Sequence, residues 1–124
     1  MRLLVPVAAT AVFVAALAAS PAGAVVSQRY TDCVARAGSN TVQLGVCAQS
    51  ELGAQDARLN KAYQQVMRQL ARTPARRDAL RRAQRSWLAQ RDYQCKIDGE
   101  TIDTDCLIRK TDERADQLEA QIRF

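Results

Sequence analysis

Along much of the chain, apolar residues recur with a helical period. Leu52, Leu59, Tyr63, Val66 and Leu70 follow one another at intervals of seven, four, three and four residues, so they share one face of a helix turned toward a core. Gly38-Ser39-Asn40-Thr41 supplies a turn followed by capping residues, and from Val42 only Gly45 and Gly53 interrupt the helix formers. Thr73-Pro74 opens a second helix, with proline at the first position, where its missing amide does no harm. Leu80, Gln84, Trp87, Arg91 and Cys95 form the stripe of that helix, and Asp98-Gly99 ends it. Beyond an acidic loop, Asp103 or Thr104 can cap a third helix with the stripe Leu107, Thr111, Ala115, Leu118 and Ile122. Strand-like alternation is absent from the sequence. The expected fold is all-α: an antiparallel long helical hairpin plus a third, C-terminal helix.

The inward stripes carry polar residues. Asp56, Asn60 and Tyr63 precede the turn at helical spacing, and Gln84, Trp87 and Arg91 follow it. Asp56 lies 17 residues before Thr73 and Arg91 lies 18 after it, which brings the two level across the hairpin. A semi-buried Asp56–Arg91 ion pair is therefore expected to set the register, with Asn60, Tyr63 and Gln84 hydrogen-bonding beside it. Loss of one partner from a buried pair costs roughly 3–5 kcal/mol. The alternative is that Arg91 snorkels to solvent. Trp87, in a chain poor in aromatics, reads as a core anchor rather than an exposed binding ring.

Residues 1–24 read as a secretory signal, with Arg2 at the positive end, an apolar run from Leu3 to Leu17, and Ala22-Gly23-Ala24 as the cleavage site. Export and cleavage would leave residues 25–124 as one small domain, secreted or periplasmic, with no membrane span in its mature form. A core of this size needs reinforcement. Cys33, Cys47, Cys95 and Cys106 all lie in the mature part, and in an oxidising compartment they are expected to form two disulfides. A zinc site is disfavoured, because the chain has no histidine and no C-x-x-C spacing. Of the three possible connectivities, Cys33 with Cys47 and Cys95 with Cys106 is favoured. Cys95 lies on the inward stripe, whereas Cys47 points about 120° away from Leu59, toward the segment that carries Cys33.

The net charge of +5 hides an asymmetry. Seven arginines face one aspartate between Arg72 and Arg91, whereas Lys96 to Cys106 sets one lysine against Asp98, Glu100, Asp103 and Asp105. Without histidine, and with every cysteine oxidised, the common nucleophilic arrangements are missing, so no catalytic residue, metal or cofactor is expected. Asp103, Asp105, Asp112 and Asp116 look like loop and solvated-helix residues, and the acidic loop does not follow the order of an EF-hand.

Several of these residues carry a resemblance. Asp32-Cys33, Cys47, Asp56-x-x-Leu59-Asn60-x-x-Tyr63, Gln84-Arg85-x-Trp87-Leu88-x-x-Arg91-Asp92-x-x-Cys95, Cys106, and Arg114 with Leu118 resemble the LprI-type lysozyme inhibitor domain across nearly the whole mature chain. The resemblance implies an exported, disulfide-bearing helical domain that inhibits lysozyme. Unlike the lipoprotein members, this chain has no lipobox cysteine after Ala24, so a lipid anchor is not expected.

Three functions are compatible with these features. An inhibitor would dock the acidic loop, through Asp98, Glu100, Asp103 and Asp105, on a basic lysozyme without covalent chemistry. An envelope module would bind an anionic glycan, lipid or other polymer through an outward face bearing Arg76, Arg77, Arg81 and Arg85, nucleic acid being the least expected of these. A structural or assembly module would have no soluble enzyme as its target.

Overall fold

A computed structural model describes residues 26–124; the expected signal segment lies outside the described residues. Four helices follow in order: α1 (Gln28–Ala37), α2 (Thr41–Gln69), α3 (Pro74–Gln94) and α4 (Thr104–Glu119). The fold is an all-α domain stapled by Cys33–Cys47 and Cys95–Cys106, whose Cα atoms lie 5.7 and 5.5 Å apart. Helix α1 is an addition to the expected three. The Ser27 hydroxyl accepts from the Tyr30 amide to start it, and Gly38, at φ +57°, ends it in a conformation that glycine tolerates best. It buries no residue fully, which is why no apolar stripe announced it.

The other boundaries follow local chemistry. Asn40 caps α2 by accepting from the Gln43 amide at 3.1 Å, and Asp103 caps α4 by accepting from the Cys106 amide at 3.1 Å. Thr73 occupies the N-cap position of α3, but its hydroxyl donates back to the Leu70 carbonyl and makes no cap bond. Helix α2 runs 29 residues, about 43 Å at 1.5 Å per residue, and is the spine of the domain.

Helix α4 packs along α2 in the main helix–helix contact, α1 covers part of α2, and α3 touches α4 only lightly. Leu59 and Ala62 of α2 meet Ala115 and Leu118 of α4 in the core, with Tyr63, Leu80, Trp87 and Ile122 packed around them. The expected α2–α3 hairpin is thus present in chain order, but its helices meet mainly through side chains. The buried row of α2 also continues through Glu51 and Gln55, two polar residues that the apolar pattern passes over.

Two polar clusters hold α2 to its neighbours. The Arg58 guanidinium donates to Asp112 Oδ1 at 2.6 Å, to Asp116, and to both Glu119 oxygens at 2.8 and 2.7 Å. These acids, spaced four and three residues apart, share one face of α4. Asp112 and Asp116 are therefore not simply solvated: Asp112 is buried and Asp116 half-buried. Hydrogen bonding to Glu119, with Asp116 adding to it, raises the Arg58 pKa further above its ordinary value, against the opposing effect of burial. At the other end of α2, Glu51 accepts from the Ser27 amide and hydroxyl and from the Gln55 side chain. Burial tends to raise the Glu51 carboxyl, but hydrogen bonds from Ser27 and Gln55, with the charge of Arg29, outweigh it and hold the group below its ordinary value.

Arg58→Met should remove the guanidinium that meets the buried Asp112 carboxylate and lower stability by about 2–3 kcal/mol in urea unfolding. Glu119→Gln, at a side chain 41% exposed, should cost under about 1 kcal/mol in the same assay. Because the folded-state pKa of Glu51 is depressed, its stabilisation is full above the ordinary value of 4.5 and is lost as pH falls through the lower folded value. Glu51→Gln should therefore flatten the acid limb of a helix-content titration relative to the parent.

Candidate functional site

Arg91 is the point at which α3 is fastened to the rest of the domain. Its Nη1 donates to Asp56 Oδ1 of α2 at 3.3 Å and to Thr111 Oγ1 of α4 at 3.1 Å, while Nη2 lies 3.0 Å from Asp92. The guanidinium also stacks over Trp87, 5.4 Å from the ring centroid. The Asp56–Arg91 pair is uneven in exposure, with Arg91 at 12% and Asp56 at 51%. Trp87 is half-buried against the core, and Arg114 approaches its ring at 6.0 Å.

The residues expected to bond beside that pair do not all do so. Gln84 Oε1 accepts from Arg114 Nε at 3.0 Å, a contact to α4 rather than across the hairpin. Asn60 and the Tyr63 hydroxyl hydrogen-bond to no side chain of α3. Instead Asp56, Leu59, Asn60 and Tyr63 form one wall, and Arg81, Gln84, Arg85, Leu88 and Arg91 the other, of an open groove of about 560 Å³ between α2 and α3. Burial lowers the Arg114 pKa from its ordinary value.

The arginine run divides along α3. Arg81 and Arg85 line the groove, whereas Arg76 is exposed elsewhere. Arg77 and Arg81 are half-buried rather than fully outward, and Arg81 is paired with Asp78 at 2.9 Å.

The acidic loop is closed at its base by Cys95–Cys106 and braced inside. Ile97 N donates to Thr101 O at 2.9 Å, Asp103 N donates to Cys95 O at 2.8 Å, and Lys96 and Ile102 form an antiparallel bridge. Three of its four acids have structural work. Asp98 accepts from the Thr101 and Glu100 amides, which hold its carboxyl below the usual range. Asp103 caps α4, and Asp105 accepts from the Tyr30 hydroxyl of α1 at 3.0 Å. Burial, then the Asp105 bond and charge, push the Tyr30 phenol up. Glu100 projects from the exposed turn. Sequence reasoning passed over the apolar residues here: Tyr93, Ile97 and Ile102 are 77%, 68% and 48% exposed. Isoleucines inside a disulfide-closed acidic loop were the available signal.

Among the described residues, no cluster of His, Cys, Asp or Glu is placed to hold a metal ion, and no helix is long and apolar enough to cross a membrane. The fold and these surfaces define a small disulfide-stapled helical domain whose prominent features are a braced loop and a side-chain-lined groove. The chain belongs to the LprI lysozyme inhibitor family, whose model matches residues 33–118. It is 33% identical over 91 residues to an uncharacterised protein of Rhizobium meliloti (strain 1021), an alignment that covers 64% of this chain and 63% of that protein. No solved structure matches the chain.

Replacing Cys95 and Cys106 together by alanine should remove about 2–3 kcal/mol of loop-closure stabilisation. Hydrogen exchange should then show the Ile97 and Asp103 amides losing protection, while the α2–α4 core keeps it.

Proposed function

We propose that the protein is an exported binding protein that inhibits a lysozyme by non-covalent contact through the loop from Lys96 to Cys106. The observation that carries this reading is the pairing of exposed Ile97 and Ile102 with Glu100 and Asp98 on a loop that the disulfide and internal hydrogen bonds already hold in shape. A preformed loop loses little conformational entropy on docking. Its apolar residues supply contact area, and its carboxylates steer it to a basic enzyme and oppose wrong partners. The family description supports the same target class. Since Asp103 and Asp105 are engaged in capping α4 and holding Tyr30, contact with the enzyme falls chiefly to Ile97, Asp98, Glu100 and Ile102.

The test is hydrolysis of bacterial cell walls by a c-type lysozyme with the oxidised protein titrated in. Ile97→Ala combined with Glu100→Lys should weaken inhibition at least about tenfold, as expected of a central apolar and charged pair. Helix content should not change, because neither side chain holds a helix. Arg76→Ala should leave inhibition intact. Undiminished inhibition by the loop variant would overturn loop docking, and loss with Arg76→Ala would move the contact to α3.

A further inference from the structure

We propose that the groove between α2 and α3 is a second binding site, for a carboxylate-bearing oligosaccharide. Three guanidiniums, Arg81, Arg85 and Arg91, line it against a single carboxylate, Asp56, which is already paired with Arg91. The lining alone carries two more positive than negative groups, but Asp78 and Asp92 outside it offset Arg81 and Arg91, and the positive charge left for an anionic ligand is that of Arg85. Arg81 and Arg91 are partly engaged by Asp78 and by Asp56, Asp92 and Thr111, whereas Arg85 is exposed on the groove wall and available for a charge-assisted hydrogen bond.

The remaining lining selects a sugar among anions. Leu88 and the Tyr63 ring, backed by the buried Leu59, give apolar surface on which the C–H face of a pyranose can lie. The Asn60 amide and the Tyr63 hydroxyl stand beside that surface with donor and acceptor capacity suited to ring hydroxyls. An extended peptide would want a strand edge for its backbone, and both walls are helices whose backbone groups are internally bonded. The groove volume, about 560 Å³, falls within the roughly 300–1,000 Å³ span of small-ligand sites. The site is separate from the acidic loop and does not depend on lysozyme being the loop's target.

The experiment is a nuclear magnetic resonance titration of the oxidised protein with tetragalacturonate and, in a parallel arm, with the N-acetylglucosamine–N-acetylmuramate disaccharide. Neutral chitotetraose and hexaglutamate serve as comparisons. Either carboxylated sugar should shift the Asn60 side-chain amide and the Arg85 signals, and the tighter of the two identifies a uronate or a lactyl-ether carboxylate as the source. Arg85→Ala, an exposed position whose loss spares the core, should weaken that binding at least about tenfold, and Arg76→Ala less than about twofold. No shift with either acidic sugar would overturn the proposal. Equal binding of hexaglutamate at the same residues would make the groove a peptide site. Equal loss in the two arginine variants would reduce it to diffuse charge.

Discussion

Arg58 sets the geometry on which the other contacts depend. Three carboxylates on one face of α4 would repel one another, and Asp112 among them is buried. A single guanidinium from α2 meets all three, and Arg58 reaches them only when the two helices hold one rotation and one height. Sliding α4 by one turn, about 5.4 Å, would separate the buried Asp112 from Arg58. A partly buried ion cluster of this kind adds less to net stability than its short contacts imply, because both signs of charge lose some of their water. Its larger effect is on specificity of register. With α4 fixed, Ala115 and Leu118 meet Leu59 and Ala62, Thr111 faces Arg91, Asp105 comes within reach of Tyr30, and Cys106 lies beside Cys95.

Helix α3 is held differently, and the difference creates the groove. It contributes no fully buried residue, so burial of apolar area cannot draw it tightly onto α2. A short turn fixes one end and the Cys95–Cys106 bridge fixes the other, while Trp87 and Arg91 fasten the middle. The long side chains at the contact keep the two helices apart. A stripe of leucines in place of Gln84 and Arg91 would close that space, and the polar residues that make α3 a poor packing partner are the ones that line the opening.

Much of this architecture was legible in the sequence because it rests on short-range rules. Helical periodicity located α2, α3 and α4, the Thr73-Pro74 turn gave the chain reversal, and the facing of Cys47 away from Leu59 gave the disulfide pairing. What escaped involves residues whose partners lie far along the chain. Glu51 and Asp112 look like surface residues until Ser27 and Arg58 are brought beside them. Helix α1 buries too little to show a stripe. Level heights across the hairpin brought Asp56 opposite Arg91, but level heights do not say whether the space between two helices is filled, and Asn60 and Tyr63 proved to line a groove wall.

The same helix carries the arginines along its length and leads into the acidic loop, and the helix ends help to sustain that separation of charge. Arg91 lies in the last turn of α3, where the exposed carbonyls favour a cation, and Asp103 and Asp105 begin α4, where free amides favour anions. Opposite charges so close along the chain would tend to collapse onto one another in a flexible segment. Here the disulfide, the internal loop bonds and the Tyr30–Asp105 contact hold the acidic loop in place, and Arg81 and Arg91 have acidic partners of their own. On the functions proposed, each surface also rejects the ligand of the other. A basic enzyme is repelled from the arginine-lined groove and an acidic sugar from the loop, so one small domain can present two sites that do not compete.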